Sequence, residues 1–252
     1  MKVAVIIPAA GLGRRMGRPG AEQGIPEKSG TSRKQFMLLE GAPILVHTIR
    51  KFVGFPEVEQ ILAVLRAEDR DWFGEQLRAQ GLGRPVELVV GGEYRQDSVK
   101  NGLQAVGANM DLVAVHDAVR PFVPMALIEA VIGKAKETGA AILGIPPVDT
   151  VKQVERAWIR GTLPRERIVL AQTPQVFRAE LLRRAYEQAE QDGFIGSDEA
   201  SLVERLEVEV AVVLGSDRNI KITKPSDMAM ARLFLQEEMS RREALTTVAP
   251  VV

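Results

Sequence analysis

The sequence lacks cysteine, has only two histidines and carries no net charge, and each absence excludes a class of protein. Without cysteine, thiolate catalysis, cysteine-based zinc sites and disulfide bonds are excluded. His47 and His116 are too few for a multi-histidine metal centre. The 33 basic residues balance the 33 acidic ones, which argues against a nucleic-acid-binding or membrane-surface protein. Any basic site must therefore be local.

Long apolar runs are also missing. No stretch approaches the roughly 18 apolar residues of a membrane span, and the first apolar run, residues 3–7, is too short for a signal-peptide core. These features predict a cytoplasmic protein with no membrane partner. The 252 residues suffice for one large α/β domain, or for a domain with an appendage.

The most informative stretch is the N-terminus, where a short apolar run leads into a glycine loop. The run at 3–7 ends at Pro8, which predicts a strand buried on both faces, and we expect it at the centre of a parallel sheet. The next small residues are Ala9, Ala10, Gly11 and Gly13. They let a ligand approach backbone N–H groups, and Arg14 and Arg15 add two cations. The loop therefore predicts a phosphate-binding site.

Spacing distinguishes three kinds of glycine loop. A dinucleotide fold requires Gly-x-Gly-x-x-Gly, but here the third glycine, Gly17, comes one residue late. A Walker loop, Gly-x4-Gly-Lys-Ser/Thr, is absent from the chain. Arginines at 14 and 15, with Lys34 further on, suit a triphosphate better than the pyrophosphate of NAD. The alternative remains open that the glycines only make a tight strand exit and that the arginines are solvated.

Strand and helix patterns then alternate at βαβ spacing. The predicted strands are 61–65, 86–90, 112–116 and 140–145. The predicted helices between them are 69–80, a helix that ends near residue 106, and 124–138. This order predicts an α/β fold with a right-handed, doubly wound, mostly parallel sheet. Ligands bind at the carboxyl ends of such strands, where the loops after Pro8, before Ser98 and at Asp117 converge.

The alternation stops at residues 146–147, where two prolines stand together. From 148 to 172 the apolar period approaches two around a turn at Gly161, which predicts a hairpin arm. Trp158 and Ile159 would leave apolar surface in water, so we expect the arm to form a homodimer.

The remaining segments complete the predicted organisation. Residues 1–147 and 173–242 form one α/β domain, with helices at 178–191 and from 198, a strand at 208–214 and a long helix from Pro225. Residues 148–172 form the arm, 243–252 a disordered tail, and 17–33 a mobile loop or lid.

Taken together, the motifs resemble those of the 2-C-methyl-D-erythritol 4-phosphate cytidylyltransferases of the non-mevalonate isoprenoid pathway. The matching blocks are Pro-Ala-Ala-Gly-x-Gly-Arg-Arg-Met16, Lys34-Gln-Phe36, Gly91-Gly-x-x-Arg-x-x-Ser-Val99, His116-Asp-Ala-x-Arg-Pro121, Pro147-Val-x-Thr-Val-Lys152, Thr173-Pro-Gln-x-Phe177, Asp198-Glu-Ala-Ser201 and Asn219-Ile-Lys-x-Thr223. They occur in order from residue 1 to about 236. Ribitol 5-phosphate cytidylyltransferases are similar over the same blocks.

The resemblance implies a Rossmann-like nucleotidyltransferase that transfers CMP from CTP to the polyol phosphate, with release of pyrophosphate. The phosphate nucleophile is already an anion near pH 7, so no general base is needed. Residues that match catalytic positions of the family are Arg15, Lys34, Arg165 and Lys221. The resemblance also implies Mg²⁺ bound with CTP, and we place Asp117 near the metal. Alternatively, Asp117 caps a helix or pairs with an arginine.

Two further sets of residues follow from the resemblance. The nucleotide pocket would comprise Ala9, Ala10, Gly11, Gly13, Gly91, Gly92, Arg95, Ser98 and Ala118. The polyol-phosphate site would comprise Asp117, Arg120, Asp149, Thr150, Arg165 and Lys221. Thr150 and Arg165 match arm residues that act from the neighbouring subunit. Ser98 could instead simply begin the following helix.

Two other classes of protein remain distant alternatives: a non-catalytic nucleotide-binding module and a nicotinamide dehydrogenase.

Overall fold

A computed structural model describes the backbone of residues 1–11 and 33–247, and the side chains up to residue 241. The predictions for Gly13, Arg14 and Arg15, and for the loop 17–33 except Arg33, lie outside the described residues.

The secondary structure follows the predicted order. The strands are β1 (Val3–Pro8), β2 (Leu38–Leu39), β3 (Ala42–Pro43), β4 (Val58–Leu65), β5 (Glu87–Val90), β6 (Leu112–Val115), β7 (Ala140–Ile145), β8 (Lys152–Glu155), β9 (Trp158–Thr162), β10 (Leu170–Arg178) and β11 (Ala211–Leu214). The helices are α1 (Ile44–Val53), α2 (Arg70–Ala79), α3 (Arg95–Ala105), α4 (Met125–Thr138), α5 (Ala179–Gln191), α6 (Glu199–Glu204) and α7 (Pro225–Thr247).

The main sheet confirms the doubly wound, mostly parallel prediction. Within the described residues its order is β11-β7-β10-β6-β1-β4-β5, and only β10 runs antiparallel to its neighbours. Strand β1 is fully buried as predicted, but β6 rather than β1 lies at the middle of the sheet. The prediction of β1 as the central strand is wrong because β10 inserts between β7 and β6, which puts three strands on each side of β6.

Strand β10 is the element of the main sheet that the sequence pattern did not predict. Its middle reads Gln172-Thr-Pro-Gln175, and the register shifts there because Pro174 has no N–H group for the ladder. Residues 170–172, assigned to the arm from the sequence, pair instead with β7 in the main sheet. The arm is therefore shorter than 148–172.

Two apolar layers sandwich the sheet. Along β1, Val5 and Ile7 face the layer that contains α1, α2 and α4, whereas Ala4 and Ile6 face the layer of α3, α5 and α6. This alternation is the consequence of the two-residue period of a strand. Because both faces are covered, polar chemistry is confined to the strand ends.

The predicted hairpin arm is present, with its turn at a different place. Strands β8 and β9 pair with each other, and the turn is made by Arg156 and Ala157, which have φ of 47° and 68°. Gly161 lies inside β9, so the predicted turn at Gly161 is wrong. A two-residue turn with positive φ matches the strand twist, but neither of its residues is the glycine that usually signals it.

The C-terminal helix α7 begins at Pro225 as predicted and continues to Thr247, so the predicted start of a disordered tail at 243 is too early. Residues 248–252 lie outside the described part. Over the described residues, no helix combines the length and apolar character that crossing a membrane requires.

Two helical glycines provide a matched test of core packing. A Cβ on Gly102 in α3 would lie 2.7 Å from Ile6 Cγ2 and 3.0 Å from Val64 Cγ2, whereas a Cβ on Gly133 in α4 would meet nothing within 4 Å. We expect Gly102→Ala to lower the free energy of unfolding by about 1–3 kcal/mol, and Gly133→Ala to raise it by about 0.5–1 kcal/mol. Denaturant unfolding measures both changes, and effects of the same sign would contradict this account of the packing.

Candidate active site

A cavity of about 260 Å³ lies at the carboxyl end of the sheet, where the sequence predicted the site. Its walls come from the loop after β1, the turn at Lys34–Phe36, the start of α3 and the loop after β6. Predicted site residues that line it are Ala9, Ala10, Gly11, Lys34, Arg95, Ser98, Asp117, Ala118 and Lys221. The fold therefore brings most of the predicted nucleotide pocket together with two of the predicted cations for phosphate.

The loop after β1 is held by a residue that sequence reasoning missed. The Gln35 side chain is buried, and its Nε2 donates to the carbonyl oxygens of Ala9 at 2.6 Å and Gly11 at 3.0 Å. Both amide hydrogens are thus used to shape the loop. The available signal was the position of Gln35 beside Lys34 in the Lys34-Gln-Phe36 block.

Gly91 and Gly92 lie behind the cavity wall and allow close packing there. A Cβ on Gly91 would lie 2.7 Å from Ala10 Cβ and 2.8 Å from Ser98 Oγ. Ser98 is buried in the first turn of α3, where its hydroxyl donates to the carbonyl of Tyr94 at 3.0 Å and accepts from Gly92 N at 3.3 Å. Ser98 therefore joins the first turn of α3 to the glycine loop. Its predicted role in nucleotide binding stays a prediction.

Asp117 lies among three cations. Its Oδ2 is 2.8 Å from Lys221 Nζ and 3.2 Å from Arg120 Nε, and its Oδ1 is 3.6 Å from Arg95 Nε. Burial alone would raise the pKa of Asp117, but the cations outweigh burial and hold this pKa well below its usual range. The carboxylate is therefore ionised at pH 7.

This environment bears on the predicted metal site. The pairing of Asp117 with cations corresponds to the alternative role of an arginine-paired acid. Across residues 1–11 and 33–241, no group of three or more histidine or carboxylate side chains is arranged to hold a metal ion. Metal ligation by Asp117 stays a prediction.

His116 fixes the turn that carries Asp117. Its buried ring packs edge-on against Phe52, with centroids 5.0 Å apart. Nε2 donates to the Arg120 carbonyl at 3.0 Å, and Nδ1 accepts from Thr173 Oγ1 at 3.1 Å. Thr173 Oγ1 in turn accepts from the backbone N–H of Asp117 at 3.0 Å. Burial lowers the pKa of His116 to about 4, so the ring is neutral at pH 7.

The other side of the turn is held by Asn219, also missed from the sequence. Arg120 Nη1 donates to the Asn219 carbonyl at 2.6 Å, and Asn219 Nδ2 donates to the Thr173 carbonyl at 2.9 Å. A second cavity of about 370 Å³ adjoins this turn, and Arg120 and Lys221 are among its lining residues. Lys221 lines both cavities and so marks where they meet.

The predicted arm residues are not part of either cavity in their own chain. Asp149, Thr150 and Arg165 are exposed, and Arg165 Nη1 donates to the Val148 carbonyl at 3.2 Å. Asp149, Thr150 and Arg165 do not line either cavity. A role at the site of a neighbouring subunit therefore stays a prediction.

Solved structures give the first step of identification. The chain is similar to 4-diphosphocytidyl-2C-methyl-D-erythritol synthase from Anaerococcus prevotii, with a TM-score of 0.79 and 28% identity over 93% of this chain and 96% of that one. It is also similar to 2-C-methyl-D-erythritol 4-phosphate cytidylyltransferase from Thermus thermophilus, with a TM-score of 0.72 and 32% identity over 94% and 100% of the two chains. The fold and the site define an α/β nucleotidyltransferase.

The second step comes from the sequence comparisons. Residues 3–237 match the family model of 2-C-methyl-D-erythritol 4-phosphate cytidylyltransferase. The curated enzyme of that name from Solibacter usitatus is 59% identical over 245 residues, which is 96% of this chain and 98% of that protein. The chain belongs to the 2-C-methyl-D-erythritol 4-phosphate cytidylyltransferase family.

The buried neutral imidazole of His116 predicts a dependence of stability on pH. Its pKa is about 4 in the folded protein and about 6.5 in an unfolded chain. Between these values the unfolded chain binds the extra proton, so stability falls as pH falls from 6.5 to 4, by about 3 kcal/mol in total. We expect His116→Gln, which does not titrate, to lose about 3 kcal/mol less than wild type between pH 7 and pH 4 in urea unfolding.

His47→Gln is the control for the other histidine, whose pKa is also lowered, chiefly by burial. Parallel stability curves for wild type and His116→Gln would show that folding does not lower the pKa of His116.

Proposed function

We propose that the protein transfers CMP from CTP to 2-C-methyl-D-erythritol 4-phosphate, giving 4-diphosphocytidyl-2-C-methyl-D-erythritol and pyrophosphate for isoprenoid synthesis. One observation carries the proposal: the glycine loop, Lys34 and the Asp117–Lys221 pair meet in one cavity, in a chain that matches the family over residues 3–237.

The chemistry requires charge and alignment rather than a base. A phosphate monoester is a dianion or monoanion near neutral pH, so its oxygen attacks the α-phosphorus of CTP without proton removal. The negative charge of the five-coordinate state and of the leaving pyrophosphate must be neutralised in place. A cavity with Lys34, Arg95 and Lys221 in its walls suits this requirement.

The proposed roles divide the cations between the two substrates. Lys34, with Arg15, binds the triphosphate and stabilises the departing pyrophosphate. Lys221 and Arg120 bind the polyol phosphate, because both line the second cavity while Lys221 also faces the first. Asp117 orients both cations and leaves them available, since a dianionic phosphate competes well with a single carboxylate.

Mg²⁺ enters as part of the substrate, bound by the phosphates of CTP. It supplies further neutralisation of phosphate charge when it is bound.

The cytosine base is read by the backbone and by small residues. Cytosine presents an amino donor beside an acceptor and uracil reverses the two, so fixed backbone groups discriminate by leaving the wrong base unpaired. The dense packing of Gly91 against Ala10 and Ser98 gives the rigid wall that such discrimination needs.

The active form is a homodimer in which the arms are exchanged. The exposed side chains of Trp158 (72%) and Ile159 (64%) support this, because a partner would remove them from water. Each site would then receive Thr150 and Arg165 from the other subunit, with Asp149 nearby. We place the enzyme in the cytoplasm, with which its cysteine-free composition agrees.

The substrate is tested by pyrophosphate release. With Mg²⁺ and CTP, we expect 2-C-methyl-D-erythritol 4-phosphate to react at least tenfold faster than ribitol 5-phosphate, because the whole chain matches the methylerythritol family. Equal or inverted rates would favour the ribitol enzyme. CTP binding without any pyrophosphate release would favour a non-catalytic nucleotide-binding module.

Arm exchange is tested by complementation between two inactive variants. Lys34→Ala removes a cation from the cavity wall, and Arg165→Ala removes the arginine donated by the arm. After subunit exchange in an equal mixture, half the dimers are mixed, and in each of these one site carries both defects and the other carries neither. We therefore expect recovery of about a quarter of the wild-type specific activity.

Native mass spectrometry establishes that mixed dimers have formed. If they form without recovery of activity, the arm serves its own subunit. Unmixed samples of each variant, carried through the same exchange, give the background.

A further inference from the structure

Glu199, the first residue of α6, lies outside the cavity but binds one of the residues that line it. Its carboxylate is almost completely buried. Both of its oxygens accept hydrogen bonds from Arg95: Oε1 lies 2.8 Å from Nη1, and Oε2 lies 2.9 Å from Nη2. The Tyr186 hydroxyl of α5 donates a third hydrogen bond to Oε1 at 3.0 Å. A bidentate arginine–carboxylate pair of this kind defines the plane of the guanidinium.

Arg95 is placed between two carboxylates. Glu199 binds its terminal nitrogens, while its Nε lies 3.6 Å from Asp117 Oδ1. About a third of the Arg95 side chain is exposed, and it forms part of the cavity wall beside Ser98. A long flexible side chain held at its far end by a buried carboxylate cannot swing across the cavity.

The charges show what Glu199 prevents. Within the part of the chain that the structure describes, Asp117 is the other carboxylate within 4 Å of Arg95, and its Oδ2 is already paired with Arg120 and Lys221. Without Glu199, the Arg95 guanidinium would turn to Asp117 for a partner. It would then enter the space of the cavity.

We propose that Glu199 is a positioning residue for CTP, acting through Arg95: it holds the guanidinium against the cavity wall and thereby keeps the nucleotide site open. The inference rests on the proposed placement of CTP in this cavity. It goes beyond that placement because Glu199 touches neither substrate.

The test combines binding and kinetics in a double-mutant cycle. Glu199→Gln keeps the size and the acceptor for Tyr186 but removes the charge. We expect it to raise the dissociation constant of Mg·CTP, measured by calorimetry without the second substrate, by about tenfold. The KM for CTP should rise similarly, while kcat and the KM for the polyol phosphate change less than about threefold.

The same substitution is then made in an Arg95→Met background. If Glu199 acts through Arg95, Glu199→Gln has no further effect on CTP affinity there. A control removes an exposed ion pair that α3 makes with a different helix: Lys100 of α3 pairs with Glu190 of α5, and Lys100→Gln should leave CTP affinity unchanged.

Three outcomes would overturn the inference: unchanged CTP affinity in Glu199→Gln, an equal loss in the Arg95→Met background, or an equal loss in Lys100→Gln. If Glu199→Gln does not fold, Glu199→Asp takes its place, measured under conditions in which that variant is completely folded. It must then show the same selective loss of CTP affinity. Failure of the wild-type protein itself to bind CTP would instead overturn the proposed function, so the two failures are distinguishable.

Discussion

The site depends on one electrostatic arrangement, in which the buried carboxylate of Asp117 is surrounded by three cationic side chains. Arg95, Arg120 and Lys221 lie within 4 Å of Asp117, and without that carboxylate they would repel one another. Asp117 therefore allows the fold to collect positive charge at the end of a hydrophobic sheet before any phosphate arrives. The neutral overall charge of the chain agrees with this local concentration.

The arrangement is held by buried polar side chains whose partners are mostly backbone groups. Gln35 shapes the loop after β1, His116 and Thr173 fix the turn at Asp117, and Asn219 ties that turn to β10. Each buried donor used in this way lowers the cost of desolvation and fixes one geometry. These hydrogen bonds reduce the conformational freedom of the loop after β1 and of the turn at Asp117.

Strand β10 brings polar side chains to the turn at Asp117 and to the start of α6. Its antiparallel insertion between β6 and β7 places Thr173 beside His116, while Gln175 bonds to Asp198 and to the N–H of Ala200 at the start of α6. The strand therefore connects the turn at Asp117 with the helix that carries Glu199. The local pattern did not predict it, because glutamine, threonine and proline in succession are typical of a loop. Their partners lie far away in sequence.

The sequence by itself determined the parallel α/β fold, the position of the site at the strand ends and most residues of its wall, because apolar periodicity, glycine spacing and motif order are local properties of the chain. Only the tertiary structure decided the place of β10, the turn at Arg156 and Ala157, the pairing of Asp117 with three cations and the contacts of Glu199. These features depend on which distant groups satisfy a buried charge or hydrogen bond, and that choice is made when the sheet assembles.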